Sequence, residues 1–334
     1  MSFPGREPPD HRRDRMKIVI LERMSVGADC DVSCLGELGE LVIHDNTVGI
    51  EQVAERVADA DAVIANKAPL NEASLKNARN LKFIAELATG YDNCDLAYCK
   101  SRGIRVTNVR DYCTAMVAQH TFALALALSQ KLVHYDRYVK SGAYGAQGRF
   151  SNFDLPFREL DHQVWGIAGY GNIGARVAAI ASAFGCEVLV HSVTGKRHDT
   201  PYEQVDKEAL LARSDFLSLH CPLSDLSRHF IDRDALQRMK PTAYLINVAR
   251  GPVVDTRALY DALTEGRFAG AGLDVLEQEP IAADDPLGSI QDSSKLIITP
   301  HLAWASIEAR QRCVEGVYRN LQAFQQGKEL NVVI

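Results

Sequence analysis

The chain has 334 residues, with 37 Lys and Arg against 43 Asp and Glu, a formal charge of -6 and a pI near 5.9. That balance argues against binding to nucleic acid or to an anionic membrane. The composition, 46% hydrophobic and 24% charged, is that of a soluble globular protein, and the length suits two domains better than one core.

Residues 1–15 are Pro-rich and charged and lack an apolar h-region. They are expected to form a disordered leader, not a secretory signal. The most apolar run, Thr121 to Leu128, is too short to span a bilayer. Cysteines stand at positions 30, 34, 94, 99, 113, 186, 221 and 313 with no C-x2-C pair and no His-x3-His partner. This predicts reduced thiols in a cytoplasmic protein and no metal site.

In chain order, short apolar runs at Lys17–Leu21, Leu41–Ile43, Asp61–Ala65, Leu81–Ala85 and Ile104–Thr107 alternate with helical patterns at Ile50–Ala58, Ala73–Ala78 and Cys94–Ser101. Such alternation predicts βα units on a parallel sheet. Thr114 to Ser141 has a broad Leu/Ala face and nothing that breaks it, which predicts one long helix able to bridge two domains. Gly142 to Asp161 loses periodicity and reads as a surface loop or as an arm that packs on a partner subunit.

A second series begins at Val164. Strands are expected at Val164–Ala168, Glu187–Val190, Phe216–Leu219, Ala243–Val248, Phe268–Leu273 and Lys295–Ile298. Helices are expected at Ile173–Phe184, Lys207–Ala212, Asp232–Met239, Thr256–Thr264 and Ala305–Gln325. Two successive series imply an α/β protein of two doubly wound domains with a cleft between them.

Gly169-Tyr170-Gly171-Asn172-Ile173-Gly174 falls between an expected strand and an expected helix, the context that a G-x-G-x-x-G match requires. The first glycine permits a tight turn, the second lets a pyrophosphate reach the backbone, and the third lets helix and strand pack closely. The helix N-terminus then offers N–H groups to the anion. The next strand ends near Ser192, 18 positions past Gly174, where an NAD-selective site usually carries an acid for the ribose 2′-hydroxyl. Ser192 has no carboxylate, and Thr194, Lys196 and Arg197 follow. A hydroxyl and cations attract a 2′-phosphate, so the cofactor is NAD or NADP with a lean to NADP.

Three polar residues follow later strand ends: Arg250 in Asn247-Val-Ala-Arg-Gly251, Glu279 in Asp274-Val-Leu-Glu-Gln-Glu-Pro280, and His301 in Thr299-Pro-His301. Ligands of open α/β sheets bind at the carboxyl ends of strands. His44, His120, His134 and His229 have no motif behind them.

With the glycine turn, His220-Cys221-Pro222 and Pro300-His301 in the same order and spacing, the chain from about Lys17 onward resembles the D-isomer-specific 2-hydroxyacid dehydrogenase family. Pro300-His-Leu-Ala-Trp304 and Asn66-Lys67 look most like its glycerate dehydrogenases, also called hydroxypyruvate reductases. The resemblance implies a flavodoxin-like substrate domain (16–108 plus 302–334) and a Rossmann NAD(P)-binding domain (109–301).

It also implies site roles. His301 would be the acid that protonates a carbonyl oxygen, Glu279 its partner, and Arg250 the clamp on the substrate carboxylate. Gly169 to Gly174, Ser192, His220, Cys221, Pro222, Val248, Ala249, Asp274 and Ala303 would contact the cofactor. Lys67, Ala88, Thr89, Gly90, Arg250, His301 and Trp304 would contact a small 2-oxo or 2-hydroxy acid. A homodimer is implied as well.

Gln119 stands where many members have Glu, which implies a changed hydrogen bond near the nicotinamide. The favoured reaction is reduction of hydroxypyruvate or glyoxylate. The alternatives are another 2-oxo acid, such as phenylpyruvate or 2-ketogluconate, and a cofactor-sensing co-repressor on the same scaffold. Glu279 argues against formate dehydrogenase, which has Gln there. A phosphoglycerate dehydrogenase is expected to carry a further regulatory domain.

Overall fold

A strand covered on both faces reads as an unbroken apolar run, and the first part of the chain is built of such runs. The computed structural model describes residues 15–334, so the expected leader lies outside the described residues except for Arg15. The chain divides into two units. One runs to Cys113 and takes up Ile307–Ile334; the other is Thr114–Ser306.

The first unit contains β1 (Lys17–Ile20), β2 (Glu40–Ile43), α1 (Gly49–Val57), β3 (Ala62–Ala65), α2 (Glu72–Leu75), β4 (Phe83–Glu86), α3 (Leu96–Ser101) and β5 (Arg105–Thr107). Its sheet is parallel, in the order β2-β1-β3-β4-β5. This is the flavodoxin-like order, whose connections reverse direction between β1 and β3. Strand residues Val19, Val63, Ile64, Phe83 and Ile84 are fully buried. Burial of each such side chain stabilises by about 1.5–3 kcal/mol. The helix Ile307–Gln325 belongs to this unit. Its Phe324 stacks on Phe83 with ring centroids 4.6 Å apart.

The second unit opens with α4 (Thr114–Ser129), α5 (Leu132–Lys140) and α6 (Ala143–Ala146). It continues with β6 (Val164–Ala168), α7 (Asn172–Ala183), β7 (Glu187–His191), β8 (Glu203–Gln204), α8 (Lys207–Arg213), β9 (Phe216–Leu219), α9 (Arg233–Arg238), β10 (Tyr244–Asn247), α10 (Thr256–Thr264), β11 (Gly270–Leu273) and β12 (Leu296–Ile298). The sheet is again parallel, in the order β12-β11-β10-β9-β6-β7-β8. Counted from β6, this is the dinucleotide-binding order 3-2-1-4-5-6 with a seventh strand added, and it reverses between β6 and β9. Trp165 of β6 is fully buried. It stacks between Phe122 at 4.5 Å and Phe216 at 5.0 Å, and its indole N–H donates to Ser218 Oγ at 2.9 Å.

The structure corrects one expectation here. The helix predicted over Thr114 to Ser141 is two helices, α4 and α5, broken at Lys131, whose backbone is left-handed (φ 56°, ψ 34°). That conformation costs about 1–2 kcal/mol. It is offset by the side chain, which turns inward: Lys131 Nζ donates to Ser294 O at 2.9 Å and to Tyr244 Oη at 3.1 Å and lies 5.1 Å from the Tyr244 ring centroid. Tertiary bonding sets the break, and no Gly or Pro announces it. The stretch Gly142 to Asp161 holds only α6 and is otherwise irregular.

Candidate active site

The two glycine positions with strict geometry lie at the switch point of the second unit. Gly169 has φ +96°, and a Cβ there would meet Cys221 N at 2.7 Å; the β6 and β9 ends thus approach backbone to backbone. A Cβ on Gly174 would run into Gly169 O, which closes α7 onto the turn. At Gly171, by contrast, a Cβ would meet nothing within 4 Å. Helices α8, α9 and α10 start on Asp206, Asp232 and Asp255, whose side chains accept the N-terminal N–H groups of Ala209, Ala235 and Ala258. α7 starts on Gly171 with no side-chain cap.

An uncapped helix start beneath open space fits a diphosphate. His220, at the end of β9, has both ring nitrogens buried without a partner among the described residues. Burial pushes its pKa down to about 3, so it is neutral and offers a donor and an acceptor to a bound molecule. These residues therefore fit a dinucleotide. Cys221 is buried, and Pro222 is exposed with its carbonyl accepting from Ser227 Oγ at 2.7 Å.

Ser192 follows β7, and its Oγ lies 3.4 Å from Thr194 Oγ1. Gly195 N–H closes a turn on Ser192 O at 3.0 Å, and Lys196 and Arg197 leave that turn exposed. The Tyr170 ring meets His198 edge-on at 5.5 Å, so the glycine turn and this loop touch.

Arg250, Glu279 and His301 lie beyond the ends of β10, β11 and β12, three successive strands of the sheet. Asn247 shapes the arginine turn. Its Oδ1 accepts Ala249 N–H at 3.1 Å, and its amide donates to Arg250 O at 3.0 Å. Arg250 Nη1 donates to Ala249 O at 2.8 Å. Val248 and Ala249 are buried. A Cβ on Gly251 would collide with the Leu276–Glu277 peptide, so the arginine turn packs directly on the segment that leads to Glu279.

Glu279 Oε1 accepts Leu276 N–H at 2.9 Å, and its Oε2 lies 2.6 Å from His301 Nδ1. A carboxylate at that distance accepts the Nδ1–H hydrogen bond and so orients the imidazole ring. It leaves Nε2 as the ring nitrogen that Glu279 does not engage.

His301 itself is left-handed, with φ 52°, a strain of about 1–3 kcal/mol for a non-glycine residue. Asp274, 1% exposed, holds it there. The Asp274 carbonyl accepts His301 N–H at 2.8 Å. Its carboxylate accepts Leu302 N–H at 2.9 Å, Ala303 N–H at 2.8 Å and the Thr299 hydroxyl at 2.6 Å. Trp304 Nε1 donates to His301 O at 3.0 Å.

In the first unit, the sequence-marked residues also sit at the carboxyl edge of the sheet, Asn66-Lys67 after β3 and Ala88-Thr89-Gly90 after β4. Asn108 Nδ2 donates to Thr89 O at 2.6 Å, Thr89 Oγ1 to Val109 O at 2.9 Å, and Val109 N–H to Ala88 O at 2.9 Å. Lys67 is exposed.

Sequence reasoning missed Glu22. It is only 8% exposed, and its Oε2 accepts the N–H groups of Asn66, Lys67 and Ala68, each at 2.9 Å. The sole local signal was an acid two residues past β1, at the switch point. Glu86, fully buried, has its pKa raised well above the carboxylate range by burial. Asn93 Nδ2 lies 3.2 Å from Glu86 Oε1.

A glycine turn at the switch point of a dinucleotide-binding sheet, with a carboxylate-held imidazole at the ends of β11 and β12, defines a nicotinamide-linked oxidoreductase. Residues 122–303 match the family model described as D-isomer specific 2-hydroxyacid dehydrogenase, NAD binding domain. The chain is 36% identical over 325 residues to a hydroxypyruvate reductase of Blautia hydrogenotrophica, covering 95% of this chain and 99% of the relative. It is 38% identical over 318 residues to a glycerate dehydrogenase of Methylorubrum extorquens, covering 95% and 98%. Among solved structures, a D-lactate dehydrogenase of Aquifex aeolicus complexed with NAD and lactic acid superposes with a TM-score of 0.80 at 32% identity, covering 93% of this chain and 96% of that one. The chain belongs to the D-isomer-specific 2-hydroxyacid dehydrogenase family, oxidoreductases acting on a CH–OH group.

Proposed function

We propose that the protein reduces the 2-oxo group of hydroxypyruvate or glyoxylate, giving D-glycerate or glycolate, and runs the reverse reaction as a glycerate dehydrogenase. What carries this is the 2.6 Å pair of Glu279 with His301, which holds the ring by Nδ1 and leaves Nε2 as the nitrogen to exchange a proton with substrate, combined with the relatives' names. When bound, the nicotinamide supplies the hydride. His301 Nε2–H gives its proton to the carbonyl oxygen as charge builds there, and retrieves it in the oxidative direction. Glu279 stabilises the imidazolium before that transfer. Arg250 grips the substrate carboxylate through its planar fork of donors and polarises the carbonyl.

Gly169 to Gly174 take the diphosphate on backbone N–H groups. His220, Cys221, Pro222, Val248, Ala249 and Ala303 line the cofactor. Asp274, its carboxylate engaged by the His301 loop, serves the cofactor through that loop. In the first unit, Lys67 and the Ala88–Gly90 backbone are substrate contacts, and Trp304 is one in the second.

The preferred cofactor in this reading is NADP. Residues 192–197 offer two hydroxyls and two cations and no carboxylate, which favours a 2′-phosphate. A homodimer and a cytoplasmic location belong to the same reading. Phe150, Phe153 and Phe157 stand 94%, 80% and 58% exposed on the arm, which supports pairing through it. All eight cysteines are free, and no helix of the described residues is long and apolar enough to cross a membrane.

A panel of 2-oxo acids assayed with NADH and NADPH by loss of reduced-cofactor absorbance tests the reading. Turnover well above one per second with hydroxypyruvate or glyoxylate is expected. A better phenylpyruvate or 2-ketogluconate rate would replace the substrate, and binding without turnover would indicate a cofactor sensor.

A further inference from the structure

A buried imidazole lies behind the His301 loop, within the second unit. His120, on α4, is 9% exposed. Its Nε2 lies 3.0 Å from Thr299 Oγ1 and 3.5 Å from Asp274 Oδ1. A hydroxyl has one proton. Thr299 gives its proton to Asp274 Oδ1 at 2.6 Å, so at the His120 contact it must accept. His120 therefore carries a proton on Nε2. Burial lowers its pKa, against the opposing pull of the Asp274 charge, so the ring is neutral and that proton is its only one. The result is a directed chain: His120 Nε2–H to Thr299 Oγ1, and Thr299 O–H to Asp274 Oδ1. The same carboxylate then receives Leu302 and Ala303 N–H, while the Asp274 carbonyl receives His301 N–H.

The geometry points to His120 as a positioning residue for His301: by donating to Thr299 it keeps the hydroxyl aimed at Asp274, and so keeps the carboxylate seated on the two N–H groups that follow the left-handed histidine. Without that donor the Thr299 hydroxyl is free to turn. Its hydrogen bond to Asp274 is then weakened, and with it the support under the strained His301 backbone. A shift of about 1 Å in a reacting group is enough to cost about a hundredfold in rate. The inference rests on the proton-transfer role proposed above for His301.

The test compares His120→Leu, which removes the donor, with His120→Gln, whose terminal amide can place an N–H near the position of Nε2. Thr299→Val, nearly isosteric, breaks the chain at its middle link. Expected for His120→Leu is a kcat about tenfold lower, with KM for the oxo acid and the cofactor Kd, read by protein fluorescence, within about twofold. His120→Gln should recover most of the loss. Thr299→Val should match His120→Leu, and the double variant should be no worse than either, because one chain is broken once.

Full kcat in His120→Leu, or Gln as poor as Leu, would overturn the inference. So would a loss that moves with the cofactor Kd or with unfolding. If His120→Leu does not fold, Thr299→Val and His120→Gln decide alone: wild-type kcat in Thr299→Val overturns it. Turnover surviving in His301→Ala would instead remove the reading beneath it. An inactive His301→Ala beside fully active His120→Leu and Thr299→Val would remove only the present inference.

Discussion

The glycine turns of the second unit and the Asn66–Ala68 loop of the first are held by opposite means. In the second unit these turns are held by close backbone approach: Gly169 against Cys221, Gly174 against Gly169, Gly251 against the Leu276–Glu277 peptide. In the first unit a side chain does it, as one oxygen of Glu22 holds three successive N–H groups more than 40 positions away. Backbone contact excludes every Cβ and so writes glycines into the sequence. A distant carboxylate writes nothing beside the loop it holds. One edge is therefore legible as a motif and the other only as structure.

The largest effect expected on this comparison is at the glycine-written edge. His301→Ala should lower kcat about a thousandfold while cofactor affinity, by fluorescence titration, stays near wild type. Full activity there would remove His301 from the chemistry. Arg250→Lys should lower kcat/KM about a hundredfold, since an ammonium cannot reproduce a bidentate fork; near-normal steady-state kinetics would contradict the clamp. Ser192→Asp should shift the NADPH to NADH preference towards NADH by about 30-fold, the worth of about 2 kcal/mol of like-charge repulsion. An unchanged ratio of kcat/KM values would misplace the 2′ site.

At the other edge, Glu22→Gln should raise KM for the oxo acid about tenfold and leave cofactor affinity alone, because it weakens a charge-assisted anchor under Lys67. If the cofactor Kd moved and KM did not, the division between the edges would fail.

The smallest effects are on stability, and they have opposite signs. The unfolded chain protonates His220 near 6.5, whereas the folded chain does so only near 3. Its contribution is therefore whole above pH 6.5 and falls on acidification, by about 2 kcal/mol between pH 7.5 and 5. Glu86 titrates above its ordinary 4.5 when folded, so its contribution is whole below pH 4.5 and falls as pH rises towards the folded value. Calorimetry of His220→Phe and Glu86→Gln across pH 5 to 9 should show the first variant losing acid sensitivity and the second losing alkaline sensitivity. The same response in both would refute the assigned protonation states.

Much of the fold was legible because parallel strands covered on both faces leave unbroken apolar runs. The runs at Val164–Ala168 and Phe216–Leu219 coincide with β6 and β9 residue for residue. The two-residue β8 has no apolar run, since it is an edge strand made of Glu203 and Gln204. The break at Lys131 was hidden because its cause, the carbonyl of Ser294 and the hydroxyl of Tyr244, lies more than 100 positions away. Arg250, Glu279 and His301 could be picked out because each follows a readable strand and sits in a short pattern. Asp274 was read as a cofactor contact. That its carboxylate grips residues 299, 302 and 303 could not be read, because it depends on the left-handed path of the chain at His301. His120 looked like any core histidine, as its partners arrive from the segments just after β11 and β12.

The packing at Gly251 has a consequence for how such a protein can be retuned. The turn carrying the guanidinium and the segment leading to the carboxylate are in backbone contact, with no side chain between them to absorb a change. They must travel as a single rigid piece. Loop grafting that reshapes the arginine turn would carry the segment leading to the imidazole's counter-charge with it, whereas the Lys67 loop of the first unit is anchored through side chains, Glu22 and Asn93, that single substitutions can change.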